Sequence, residues 1–189
     1  MKKIYIILLI SLIGLISLKA KCQSDNKFNF RIENNTVLWQ KVFDTRLTYN
    51  QIIEIISKDN KYSNIKQFDS TIVFTHEKLD PDLKGAGYSR GSAPMYILDN
   101  LIKQDVTIEV KQNRYRVTCK NVFCVQQRSI QIGFLSTTNG ETHSIESIVI
   151  NRKGELKKGI TAYGYEILDY NYTKEFNFNN RIVKKDDNW

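Results

Sequence analysis

Gly87-Tyr88-Ser89-Arg90-Gly91 has the G-x-S-x-G spacing that lets a strained strand-to-helix turn present a serine hydroxyl. His143 follows it, with Asp99 or Asp105 between, in the chain order a serine hydrolase uses. The motif works only between a strand and a helix. Here Pro81–Ala86 precedes it and Ser92-Ala93-Pro94 follows, so the expected structure is a glycine-rich loop. Gly85-Ala86-Gly87 opens like a dinucleotide fingerprint, but Arg90 occupies the third glycine position and no strand leads into it. No P-loop is present.

Cys119 and Cys124 lie five residues apart in a β-rich run. On one extended strand that spacing puts them on opposite faces and about 16 Å apart, too far for a disulfide. Buried free thiols are expected. Neither of the two histidines is near this pair in sequence, so no metal site and no cofactor is expected. His76 ends a strand-like run and reads as a half-buried, hydrogen-bonded imidazole. Arg114, Arg116 and Lys120 fall on the polar face of a strand. They read either as a solvated face or as a binding stripe for an acidic partner or an anionic lipid headgroup.

These residues are set in a chain of 189, long enough for one domain with an extension. Apolar residues make up 41%, and only two are proline, which excludes a disordered tract. Residues 1–22 carry Lys2 and Lys3, an apolar run from Ile4 to Leu18, and Ala20-Lys21-Cys22. This is the pattern of a secretory signal peptide cleaved near Cys22, and it makes the protein exported, periplasmic or secreted. Lipidation at Cys22 is the alternative, although Lys19 and Lys21 fit that signal poorly. Removing the leader takes away four of the 28 basic residues and no acid, which halves the formal charge of +8. The remaining balance gives no reason to expect a nucleic-acid partner.

In the mature part, Lys27–Glu33 and Thr36–Asp44 are β-prone runs joined by Asn34-Asn35, the mark of a tight hairpin. Thr48–Asp59 is the clearest helix: Thr48 and Gln51 form a capping-box pair, and Tyr49, Ile52, Ile53 and Ile56 share one face. Ser70–His76 reads as a strand, 77–94 as a long loop, and 95–104 as strand or short helix. Val106–Val125 is a hairpin turned by Gln112-Asn113. Tyr115, Val117, Cys119, Phe123 and Val125 share its apolar face. Ser129–Leu135 and Ile145–Ile150 read as strands, and 173–184 as a helix with Phe176 and Val183 inward. Residues 184–189 read as a frayed tail.

Val110–Tyr115 (VKQNRY) followed by Arg116, with its hairpin, the upstream helix and the leader, resembles a family of exported Gram-negative envelope proteins of unknown function with a TATA-box-binding-protein-like (TBP-like) fold. That family's turn is of Asp-Gly type, whereas this chain has Gln112-Asn113. The resemblance implies an α+β fold, an antiparallel sheet with a helix packed on one face, and implies no activity and no DNA binding. The expected organisation is a signal peptide at 1–22, an α+β domain at 23–135, and an extension at 136–189 whose fold the pattern does not determine. The expected function is a non-catalytic envelope binding or interaction module, with weak contact to an anionic membrane surface as a further expectation. A small serine hydrolase using Ser89 is the alternative.

Overall fold

The computed structural model describes residues 28–128, 130–132, 135–137 and 140–181. The signal peptide, Cys22, the loose terminus at 23–26 and the tail from 182 onward lie outside the described residues. Strands β1 (Phe30–Glu33) and β2 (Thr36–Asp44) form the expected hairpin. Both turn residues have positive φ, 48° at Asn34 and 63° at Asn35, the primed-turn geometry that asparagine tolerates. Helix α1 (Tyr49–Lys58) starts at the expected capping box and buries Ile52 and Ile56. Such a cap contributes about 1 kcal/mol.

Strand β3 (Tyr62–Phe68) follows, then β4 (Thr71–Leu79), β5 (Asn100–Lys111) and β6 (Arg114–Gln126). The strand order is β1-β2-β6-β5-β4-β3, and all pairs are antiparallel. A short β9 (Thr142–Ser144) pairs with the far half of β6. The chain is α+β, an antiparallel sheet covered by helix on one side, as the resemblance implied.

Five readings change. Residues 95–99 belong to the loop, and the strand begins at Asn100. The single strand expected at Ser129–Leu135 is instead a pair, β7 (Ile130–Ile132) and β8 (Leu135–Thr137), with Gly133 between them in sequence. Ile145–Ile150 is not a strand: Ile145–Val149 forms helix α2. Its apolar Ile145, Ile148 and Val149 sit at i, i+3 and i+4, a helical stripe as much as a β run. The helix expected at 173–184 is the end of a longer one, α3 (Ile160–Phe176). It stops because Asn177 leaves helical geometry, and a 3-10 turn covers Phe178–Arg181. Phe176 is buried as expected, and Val183 lies outside the described residues.

The fifth change is in β6. Asn121 has φ 51°, and the pairing of β5 with β6 shifts register between Lys103 and Asp105. That irregularity is a β-bulge, and it moves the following residues to the opposite face. Tyr115, Val117 and Cys119 point inward as expected, but after the bulge it is Val122 and Cys124 that are buried. Phe123, expected inside, is 36% exposed. The two cysteines therefore share the inner face and do not lie on opposite ones. Both are free, as expected.

One continuous core joins this face to α1, α2 and α3. A cross-strand row, Phe30–Trp39–Cys119–Val106–Phe74, runs along it. Helix α3 covers the row with aromatic rings: Phe30 meets Tyr165 and Tyr172, and Trp39 meets Tyr172 and Phe176. Each such pair adds about 0.5–1.5 kcal/mol beyond the area it buries. The outer side of α3 is strapped by the 80–99 loop. Tyr96 Oη donates to Thr161 O at 2.8 Å, and Lys174 pairs with Asp82 at 3.0 Å. This is why apolar and aromatic residues occur nearly all the way around α3.

Candidate functional site

Among the described residues, no helix lies over most of the width of the opposite face of the sheet. One cross-strand row there reads Val42–Arg116–Glu109–Thr71–Phe68, across five strands. At about 4.8 Å per strand the row spans roughly 19 Å. Val42 and Phe68, at its ends, are 52% and 56% exposed. The next row is Gln40–Thr118–Thr107–Val73–Lys66, in which Gln40 Nε2 donates to Thr118 Oγ1 at 2.8 Å. This face is a polar, threonine-rich platform edged by two apolar residues.

The three cations expected to form a stripe are all on this side, but they are not equivalent. Arg116 makes a bidentate contact with Glu109, at 2.8 and 2.7 Å. Lys120 stands across from Asp105, which accepts a hydrogen bond from Asn121. Arg114 is exposed at the start of β6, between Asp44 and Lys111. Sequence reasoning missed Glu109 as the group that neutralises the middle of the stripe. Its position directly across the hairpin from Arg116 was legible once the Gln112-Asn113 turn was placed.

The serine-hydrolase residues are each engaged elsewhere. The G-x-S-x-G segment lies in the loop between β4 and β5, where Ser89 Oγ is 3.1 Å from Ser92 Oγ. Arg90 holds Asp99 at 2.8 Å. Asp105 faces Asn121 and Thr75. His143 is on β9 and contacts Glu141 at 3.2 Å. Among the described residues no hydrogen bond links Ser89 to a histidine, and no group of three or more His, Cys, Asp and Glu side chains is arranged to hold a metal.

His76 is wholly buried rather than half-buried. It belongs to a polar cluster under the end of α3. Gln104 Oε1 accepts from Tyr172 Oη at 3.2 Å, so Gln104 Nε2 donates to His76 Nδ1 at 3.1 Å. That leaves the ring proton on Nε2, facing Glu175 Oε1 at a long 3.5 Å. Glu175 also accepts from Tyr62 Oη at 2.7 Å, Arg181 Nη2 at 2.9 Å and Lys61 Nζ at 3.2 Å. Burial alone would raise the Glu175 pKa. The imidazole, the Arg181 charge and the Tyr62 hydroxyl outweigh burial and hold the carboxyl well below the usual carboxylate range. Burial, and then Glu175, push the Tyr62 hydroxyl up. A carboxylate beside an imidazole is the orienting half of a catalytic base. Here His76 has no exposed surface and its Nδ1 is taken, so the cluster pins α3 to β3 and β4. Nothing in sequence marks it, since Glu175 and Tyr62 are 113 positions apart.

Burial also governs the thiols of Cys119 and Cys124. Cys119 is raised well above the ordinary thiol value and Cys124 is pushed up to about 12.

No family model matches the chain, and no curated protein matches it. Among solved structures it is similar to a TBP-like protein from Parabacteroides distasonis. That likeness has 17% identity and a TM-score of 0.44, and covers 77% of this chain and 90% of that one. It is also similar to a DUF4468 family protein from Bacteroides ovatus. There the identity is 13% and the TM-score 0.45, covering 78% of this chain and 86% of the other.

Proposed function

We propose that the protein is an exported, non-catalytic module of the cell envelope that binds or assembles with a partner through the helix-free face of its sheet. The observation that carries this reading is the row from Val42 to Phe68. An antiparallel sheet can leave one face to water, but large apolar side chains at both ends of a polar row offer a partner contact area that folding does not need. Export is supported by the leader pattern of residues 1–22. The dispersal of Ser89, Asp99, Asp105 and His143 supports a role other than hydrolysis.

The test is capture from envelope extract by the immobilised protein, compared with a Val42→Glu/Phe68→Glu variant and with a control altered on the outer face of α1, Asn50→Lys. A partner retained by wild type and control but lost from the face variant is the expected result. Equal capture by all three, or none by any, refutes the reading. Intact mass of the envelope-localised protein checks export, and a mass matching Gln23–Trp189 is expected.

A further inference from the structure

At one end of the helix-free face two turns meet. The chain leaves β2 at Asp44 and runs through Thr45, Arg46 and Leu47 toward α1, while β5 ends at Lys111 and returns through Gln112-Asn113 to Arg114. The turns are tied together, because the Thr45 N–H donates to Asn113 O at 2.9 Å. Thr45 Oγ1 donates to Asn179 Oδ1 at 2.6 Å, and Asn179 Nδ2 donates to Asp44 O at 2.9 Å. These bonds fix the walls of an open cavity of about 650 Å³, lined by Asp44, Thr45, Arg46, Leu47, Asn113 and Asn179. A smaller hollow of about 230 Å³ is lined by Val42, Glu109, Lys111, Arg114, Tyr115 and Arg116, and Arg114 follows directly on Asn113 of the first.

The charge around these hollows is not balanced by the fold. Arg116 and Glu109 cancel each other. Lys111 and Arg114 are direct cross-strand partners, a like-charge juxtaposition that costs stability. Asp44 lies across from Arg114 on β2, and among the described residues it is the one acid besides Glu109 that lines either hollow. Arg46, Lys111 and Arg114 make no ion pair among the described residues. Three cations from separate segments therefore stand around two preformed hollows against one carboxylate.

We propose that this end of the sheet binds a phosphate group, with Arg46, Lys111 and Arg114 as its donors. Two guanidinium forks and a compact ammonium suit the several oxygens of a phosphate better than the two of a carboxylate. The proposal names a ligand class for the binding reading above and rests on it. The shared chemistry is the phosphate, free or carried on a lipid headgroup, and the test separates the two.

The probes are inorganic phosphate, followed by amide chemical shifts, and sedimentation with phosphatidylglycerol or phosphatidylcholine vesicles. Saturable shifts at Arg46, Asn113 and Arg114 are expected. Arg114→Glu and Arg46→Gln should each weaken the affinity about tenfold, the equivalent of one charge-assisted hydrogen bond. Lys153→Glu, in the exposed 151–154 turn, should leave it unchanged, and Asp44→Asn should tighten it by removing a repelling carboxylate. Phosphate binding without vesicle binding assigns a soluble ligand. Selective sedimentation with phosphatidylglycerol assigns a headgroup. Absence of both, or equal weakening by Lys153→Glu and Arg114→Glu, overturns the proposal. Partner capture lost only in the Val42→Glu/Phe68→Glu variant would survive that failure, so the two readings fail separately.

Discussion

Replacing Glu175 by Gln keeps the size of the side chain and removes its charge. The carboxylate receives Tyr62 Oη at 2.7 Å, Arg181 Nη2 at 2.9 Å and Lys61 Nζ at 3.2 Å, and it faces the His76 ring at 3.5 Å. An amide supplies one acceptor and turns the other atom into a donor facing donors. Breaking a buried ion pair from one side costs about 3–5 kcal/mol. Arg181 and Lys61 keep 23% and 43% side-chain exposure, so water recovers part of the loss and about 3 kcal/mol is the reasoned figure. For a domain of this size that lowers the Tm by roughly 6–12 °C. The sign of the pH dependence follows from the lowered pKa. An unfolded glutamate titrates near about 4.3, and the folded one lower. The contribution is therefore complete above about pH 4.3 and is lost as pH falls toward the folded value, by about 1.4 kcal/mol per unit. Thermal melts of wild type and Glu175→Gln followed by circular dichroism should differ fully at pH 7 and by about half or less at pH 3. A Tm change under about 2 °C at pH 7, or a gap that does not shrink on acidification, would refute the assignment of Glu175 as a charged pin.

Gly164 tests the contact between α3 and the loop that straps it. A Cβ there would lie 1.8 Å from Tyr96 Oη, so Gly164→Ala should displace that ring, break its bond to Thr161 O and cost about 1–3 kcal/mol in a urea melt; equal stability would mean the loop is not seated on the helix. Cys119 and Cys124 should resist alkylation in the native state and react together on denaturation, by peptide mass mapping, whereas rapid native labelling of either, or a bonded pair, would contradict their burial. A fluorophosphonate probe should give no labelling that Ser89→Ala removes, and labelling lost in that variant would restore the hydrolase reading.

Local signals in the sequence were read well where they were self-contained. The Asn34-Asn35 turn, the Thr48/Gln51 capping box and the Gln112-Asn113 hairpin each depend on a few adjacent residues with one physical requirement. Readings failed where the deciding contact came from far along the chain. Helix α3 was obscured because tyrosine and isoleucine are only middling helix formers. It was obscured further because its buried residues face both the sheet and the 80–99 loop, which erases the one-sided stripe. Strand β3 was missed because Tyr62 is its one buried residue, the rest being a polar edge. The β6 bulge was hidden behind an unbroken alternation, since Phe123 and Val125 look inward by parity and only Asn121 hinted otherwise. Of the candidate site, the cations were legible, and Glu109 opposite Arg116 follows from the Gln112-Asn113 turn. Asp44 acquires meaning only through the long-range β2–β6 register, and Arg46 only through the path of its loop.

The aromatic row of the sheet has its lid far downstream in the chain. The Trp39 indole donates to Asp169, 130 positions away, and Phe30 waits for Tyr165 and Tyr172. Hairpins β1–β2 and β5–β6 can zip early, but the greasy side they create stays wet until residues 160–178 arrive. Assembly is thus a late closure with long loops to gather, which slows it and opens an interval in which unfinished chains can stick to one another. A polypeptide stopped before Gly159 should bind hydrophobic dye and clump, so that solubility turns on the arrival of residues 160–178.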